Sequence, residues 1–302
     1  MPHQIAGVLP VMHTPLVGGD RIDYVCLRKE VDWAFQVGAD GIVAAMVSEI
    51  LRLTHGERIR MAEELVEMAD NRGAVITSVG SESIAQSREF ARRAEQAGCD
   101  ALMAIPPISG AASEDQQRRY FCEIADCVDL PLIVQDASSY VGGALSIELF
   151  IGLLDQYGQD KILFKPEAAP IGPNLSLLRD RSDGRAKIFD GSGGVLLLDA
   201  YRRGITGTIP GTDLLDGIVA LWNALESGDH ERAYQVYFPI CAIVNLQLQA
   251  GLDGFLAIEK YLMVKRGIFD DDSRREPYAW ELDEETRAEV DRLFEHLMQV
   301  LT

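Results

Sequence analysis

A closed (β/α)8 barrel, the α/β TIM-barrel class, with a C-terminal helical appendage is the fold this sequence predicts, and three observations predict it. Short apolar runs rich in Val and Ile alternate with longer amphipathic stretches, the sign of repeated βα units around a parallel sheet. Eight such runs can be counted in order, and no GxGxxG opens the first βα turn, which disfavours an open dinucleotide-binding sheet. The junctions GADGIV, GCDALM and GITGTI repeat one grammar, in which a small residue closes a helix and an apolar strand follows.

The strand candidates are 5–12, 41–46, 74–79, 101–105, 132–135, 162–165, 186–189 and 207–209. Between them apolar residues return at the helical spacing over 24–37, 55–71, 83–97, 114–127, 147–157, 174–181 and 194–203. Gly38, Gly98 and Gly204 stand where a left-handed helix terminus is least costly. Beyond Pro210 the pattern is helical alone: 214–226, then 230–266 with a break near Gly251 and Gly254, then 284–301. The domain reading is a barrel over 1–212 and a helical region over 213–302 packed on it, with 269–278 as a connecting loop whose DDD is a solvated charge run.

A net charge of -19 argues against nucleic-acid and anionic-membrane partners, which need a basic face. No stretch approaches the ~18 apolar residues of a membrane span, and the start MPHQIAGVLPVMHTP lacks a basic n-region, so a cytoplasmic location is expected. The 5 cysteines are scattered, as in a reducing compartment, and the 5 histidines form no HxH or HExxH spacing. No metal and no cofactor is expected.

In such barrels the reacting groups stand at the C-terminal ends of the strands. Lys165 closes the apolar run Ile162, Leu163, Phe164, where desolvation favours a neutral, nucleophilic amine. One reading is a barrel-end lysine in a salt bridge with Glu167. The other is an imine-forming lysine, an electron sink for chemistry beside the ketone of a small 2-oxo acid.

From GVLPVMHTPL through GIVAAMVSE and FKPEA to GITGTIP and the helical tail, the chain resembles the dihydrodipicolinate synthase/N-acetylneuraminate lyase superfamily over essentially its full length. The resemblance implies a Thr-Pro-apolar ending to the first segment (Thr14, Pro15, Leu16), a carboxylate-holding turn after the second strand, and the imine lysine on the sixth, here Lys165. It also implies a homotetramer or dimer. The chain departs from the family pattern at three places. Ile108 follows the fourth strand where the family has its proton-relay tyrosine, and Ile108 cannot move a proton. The carboxylate turn reads Met46-Val47-Ser48-Glu49, so one relay threonine is lost and Ser48 alone keeps a hydroxyl. The fifth strand ends Gln135-Asp136-Ala137-Ser138, without the family's tyrosine. The signatures VSE, VQDA, FKPE and FDG look more like the sugar-acid branch, which includes the 2-keto-3-deoxy-L-arabonate dehydratases and carries a carboxylate two residues past the lysine, here Glu167.

The resulting expectation is a Schiff-base (class I) lyase, a hydro-lyase before an aldolase. Lys165 forms the imine and Glu167 removes a proton from C3; the i+2 spacing keeps both on one face while the strand stays extended. Val47 and Ser48, through their amides and the Ser48 hydroxyl, would hold the substrate carboxylate, although Ser48 reads equally as a helix N-cap. Gln135, Asp136, Ser138 and Tyr140, with Asp190 and Ser192, would meet the polyol end. Tyr140 reads rather as an exposed loop tyrosine packing at a subunit contact, and Asp190 reads equally as an N-cap. Glu49 is expected to order its loop. A pyruvate-releasing aldolase and a barrel that binds 2-oxo acids without catalysis are the competing readings.

Overall fold

The computed structural model describes residues 3–110 and 112–302. Eight parallel barrel strands follow in chain order: β1 Gly7–Val8, β2 Gly41–Ala44, β3 Ala74–Ser78, β4 Ala101–Ala104, β5 Leu132–Asp136, β6 Ile162–Pro166, β7 Phe189–Asp190 and β8 Gly207–Thr208. Hydrogen-bonded ladders join β2 through β6 in sequence and β1 to β8 to β7. Single parallel bridges, Phe164 to Ile188 and Val11 to Val43, close the two arcs into one ring.

Side-chain parity divides the core in two. Leu9, Val11, Val43, Ile76, Met103, Ile133, Leu163, Phe189 and Ile209 fill the lumen. Their neighbours one residue away, such as Val8, Ile42, Leu132, Val134, Ile162 and Phe164, face the helices. Each fully buried side chain of this size contributes about 1.5–3 kcal/mol.

Around the ring lie α1 Tyr24–Val37, α2 His55–Ala69, α3 Ile84–Ala97, α4 Glu114–Ala125, α5 Ile147–Tyr157, α6 Ile171–Arg181 and the short α7 Leu197–Arg202. Asp23, Thr54, Ser83, Ser113 and Ser146 cap α1 to α5 through side-chain oxygens that accept first-turn amides. α2 stops at Ala69, short of the expected 71, because Asp70 and Asn71 both turn left-handed. The expected first strand, 5–12, forms a ladder of only two residues. Pro10 has no N–H to donate, and beyond it Val11 makes single bridges to Val43 and Gly211. A small antiparallel hairpin, Leu16–Val17 with Arg21–Ile22, turns at Gly18 and Gly19; the sequence reading did not anticipate it.

Past the barrel strands come α8 Leu215–Ser227, α9 His230–Leu248, α10 Gly251–Lys265 and α11 Glu284–Leu301. α8 packs on α1 and β1, the place of an eighth barrel helix; α9 and α11 pack on α8, and α10 and α11 pack on α9. The extension is also pinned to the turn after β2. Buried Glu49 accepts from Lys260 Nζ on α10 and from the Arg275 amide at 2.8 Å, so it orders its loop by tying it to the extension. Among the described residues no helix is long and apolar enough to cross a membrane.

Candidate active site

Strand parity decides which polar side chains reach the barrel mouth. On β6, Leu163 points into the lumen, so Lys165 and then Glu167 continue that face while Phe164 turns to the helices. The ladder keeps this regular: Gln135 pairs with Lys165 and Asp136 with Pro166, and the Glu167 amide donates to Asp136 O at 2.9 Å. Lys165 Nζ lies 2.9 Å from Glu167 Oε2, and Gln135 Nε2 donates to the same oxygen at 2.6 Å. Burial pushes the Glu167 carboxyl above its usual range, although Lys165 and Gln135 both favour its charged form.

These three residues line a cavity with about 490 Å³ of empty space, together with Ala45, Met46, Val47, Tyr140, Gly191, Gly211, Leu252, Phe255 and Glu259. Tyr140 is half-buried, its ring edge-on to Phe255 with centroids 5.8 Å apart. It therefore stands in the cavity wall, not on an exposed loop tip. Burial first, and then the Glu167, Asp190 and Glu259 carboxylates, hold its phenol well above the ordinary range.

Other expected ligands take different places. Asp136 follows the outward-facing Val134, and its oxygens accept from the Ser138 amide at 2.9 Å and the Leu145 amide at 2.8 Å. It fastens the loop that carries Tyr140 and is absent from the cavity wall, as is Ser138. Asp190 follows the lumen-facing Phe189, so it too turns outward, and its Oδ2 accepts from Ser192 Oγ at 3.1 Å and Thr208 Oγ1 at 3.2 Å. Ser192 Oγ in turn accepts from the Leu196 amide at 2.9 Å. The Ser48 hydroxyl is fully buried, donating to Met12 O and accepting from the Ala45 amide at 3.1 Å. The Ser48 amide donates to Ala45 O at 3.0 Å within the short helical turn Met46–Ser48, which leaves Met46 and Val47 as the turn's exposure to the cavity. Thr14 Oγ1 donates to Ser48 O at 2.6 Å, so both hydroxyls shape the turn. Ile108 sits on the surface, its amide held by Glu82 at 3.0 Å.

The sequence reading missed the contribution of α10. Leu252, Phe255 and Glu259 come from the extension and complete the cavity wall. Behind Glu259 is a buried ionic group. Its Oε2 lies 3.0 Å from His13 Nε2, while His13 Nδ1 lies 2.8 Å from Glu30 Oε1. Burial opposes charge on His13, yet Glu30 and Glu259 hold its pKa up to about 10, so the ring is an imidazolium. Asp213 joins the group, accepting from Gln247 Nε2 at 2.8 Å. One donor atom each from His13, Asp213 and Glu259 falls within 4.8 Å of the others, a spacing that three cation ligands could adopt, but the imidazolium already supplies the positive charge. A trace of this group is readable in sequence: His13 extends the lumen series Leu9, Val11, and Asp213 extends Ile209, Gly211, on neighbouring strands joined at Val11 and Gly211.

Comparison with known proteins agrees with this architecture. Residues 4–297 match the profile of the Dihydrodipicolinate synthetase family. The chain is 29% identical over 290 residues, 94% of its length and 92% of the relative's, to an L-2-keto-3-deoxyarabonate dehydratase of Azospirillum brasilense. It is 28% identical over 301 residues, 96% of this chain and 97% of the other, to a 4-hydroxy-tetrahydrodipicolinate synthase of Roseobacter denitrificans. A prophage protein of the dihydrodipicolinic acid synthase family from E. coli K12, solved in complex with pyruvate, superposes with a TM-score of 0.87 at 23% identity, covering 97% of this chain and 99% of that one. The chain thus belongs to the dihydrodipicolinate synthetase family, within a superfamily whose members are Schiff-base lyases.

Proposed function

We propose that the protein dehydrates a 2-keto-3-deoxy sugar acid through an imine on Lys165. The observation that carries this reading is the Lys165 and Glu167 pair, 2.9 Å apart and facing the cavity. A buried carboxyl of raised pKa beside an amine can take the ammonium proton, leaving a neutral nucleophile for the C2 ketone. That proton departs with the C2 oxygen as water when the imine forms, and the carboxylate so restored lies beside C3 of the imine and accepts its proton, giving the enamine. Loss of the C4 hydroxyl, with the enamine electrons moving into C3=C4, and hydrolysis of the imine yield a 2-oxo product that tautomerises to a semialdehyde. The substrate is held at its carboxylate end by the turn at Val47 and at its polyol end by Gln135 and Tyr140. Surface placement of Ile108, where the synthases of the family use a relay tyrosine, favours dehydration over the aldol condensation, as does the dehydratase activity of the Azospirillum relative.

Borohydride reduction in the presence of pyruvate is expected to add the reduced adduct to Lys165 alone. A panel of 2-keto-3-deoxypentonates and hexonates, assayed for semialdehyde and for pyruvate, is expected to give semialdehyde. Pyruvate plus an aldehyde as the sole products rejects dehydration in favour of an aldolase, and binding without an adduct rejects both.

A further inference from the structure

Dehydration through an enamine needs two proton movements, removal at C3 and delivery to the departing C4 oxygen. Glu167 and Lys165 supply the first. Resting on the dehydratase reading, we propose that Glu259 of the C-terminal extension is the catalytic acid that protonates the leaving C4 hydroxyl, with His13 holding it in place and Asp213 beside it as the source of the proton.

Glu259 is the second carboxylate in the cavity wall, and it arrives from α10, independently of the β6 pair. One of its oxygens is fixed by His13 Nε2 at 3.0 Å. The other lies against Gly211, where an added Cβ would stand 2.4 Å from Glu259 Oε1 and 2.9 Å from Asp213 Oδ1, so the glycine leaves the two carboxylates open to each other. Buried carboxylates this close do not both ionise freely. Burial and then Glu259 hold Asp213 up to about 7, with His13 and Arg266 pulling the other way. Asp213 therefore keeps a share of one proton near neutrality, beside Glu259. The charged and titratable groups facing Glu259 are His13 with Glu30 behind it, Asp213 with Arg266 behind it, and Tyr140, Lys165 and Glu167 around the cavity.

The enamine nitrogen lone pair re-forms C2=N, the C2=C3 pair becomes C3=C4, and the C4–O bond breaks with its electrons on oxygen. A proton passed from Asp213 through Glu259 joins that oxygen and water leaves. One proton has been gained at Glu167 and one lost at Asp213, and exchange with water restores both.

The test uses the full chain and a 2-keto-3-deoxypentonate, and begins with the wild type: pyruvate in place of semialdehyde there removes the dehydratase reading and this proposal with it. If the wild type makes semialdehyde, Glu259→Gln keeps the volume and removes the acid. Borohydride trapping of Lys165 and C3 deuterium exchange in D2O are expected to persist, while semialdehyde formation falls by about 10²–10⁴-fold. Equal losses in exchange and dehydration make Glu259 a structural tie and overturn the proposal, as does full dehydration, which assigns both transfers to Glu167. Loss of wild-type activity on chelation, restored by a divalent cation, overturns it in favour of a metal at His13, Asp213 and Glu259. Should Glu259→Gln not fold, Asp213→Asn decides, because it removes the proton source and leaves Glu259 in the wall. Dehydration should then fall by about 10²-fold with C3 exchange retained. Undiminished dehydration sinks the idea.

Discussion

A Cβ built on Gly191 would stand 2.4 Å from Glu167 Oε1 and 2.5 Å from Lys165 Nζ, closer than any real contact. Gly191 follows β7, on the same lumen face as Phe189, so the Lys165 and Glu167 pair keeps its position because the neighbouring strand presents no side chain to it. Gly191→Ala forces the two heads apart or out of the wall. A misplacement of this order at reacting groups costs about 10²-fold, so the rate of borohydride-trapped adduct formation should fall by that factor. Overpacking should cost about 1–3 kcal/mol in urea unfolding, little beside the loss in rate. An unchanged trapping rate in Gly191→Ala would mean that the pair has freedom to spare and that its close setting is not what makes Lys165 reactive.

At the scale of elements, the β5 to α5 loop is held by Asp136, which faces away from the cavity and accepts two loop amides, Ser138 and Leu145. Asp136→Ala strands both, at a cost of about 1–3 kcal/mol, and releases the segment that sets Tyr140 in the wall. Amide exchange over 138–145 should accelerate and KM should rise, with Lys165 trapping at saturating pyruvate retained; protection of Ser138 and Leu145 equal to wild type would refute the anchoring role. The case shows what the sequence could and could not disclose. Strands were legible because apolar runs are bounded by glycine and by helix ends, and Lys165 with Glu167 was legible because spacing by two on an extended strand fixes a shared face. Asp136 and Asp190 were assigned to the substrate from their nearness to strand ends, yet each is one residue out of phase with the lumen positions Ile133 and Phe189. Glu259 could not be found this way: it lies on a helix, and its partner His13 is 246 residues distant, joined only by the closing of the ring.

For the molecule as a whole, closure of barrel and extension into one unit runs through Arg275, whose guanidinium meets Glu57 Oε2 at 2.6 Å and Oε1 at 3.0 Å on α2. The hydrogen bond from Arg275 is the main reason that the Glu57 carboxyl is held down to about 2, with burial opposing. In the unfolded chain the same group titrates near 4.5. Between these values the unfolded state binds more protons than the folded one, so the stability due to this pair is complete above about 4.5 and is lost as pH falls through about 2. Its size is about 2–3 kcal/mol at neutral pH for a side chain that is about one quarter exposed. Glu57→Gln keeps an acceptor for the Thr54 amide, which donates to Glu57 Oε2 at 2.8 Å, but removes the titration. Urea unfolding across the acid range should therefore show the variant less stable than wild type near neutrality, with the two curves converging as pH drops from 4.5 toward 2. Curves that stay parallel would mean that the acid limb belongs to other carboxylates in this chain of net charge -19, and that α2 and the extension are joined by packing alone.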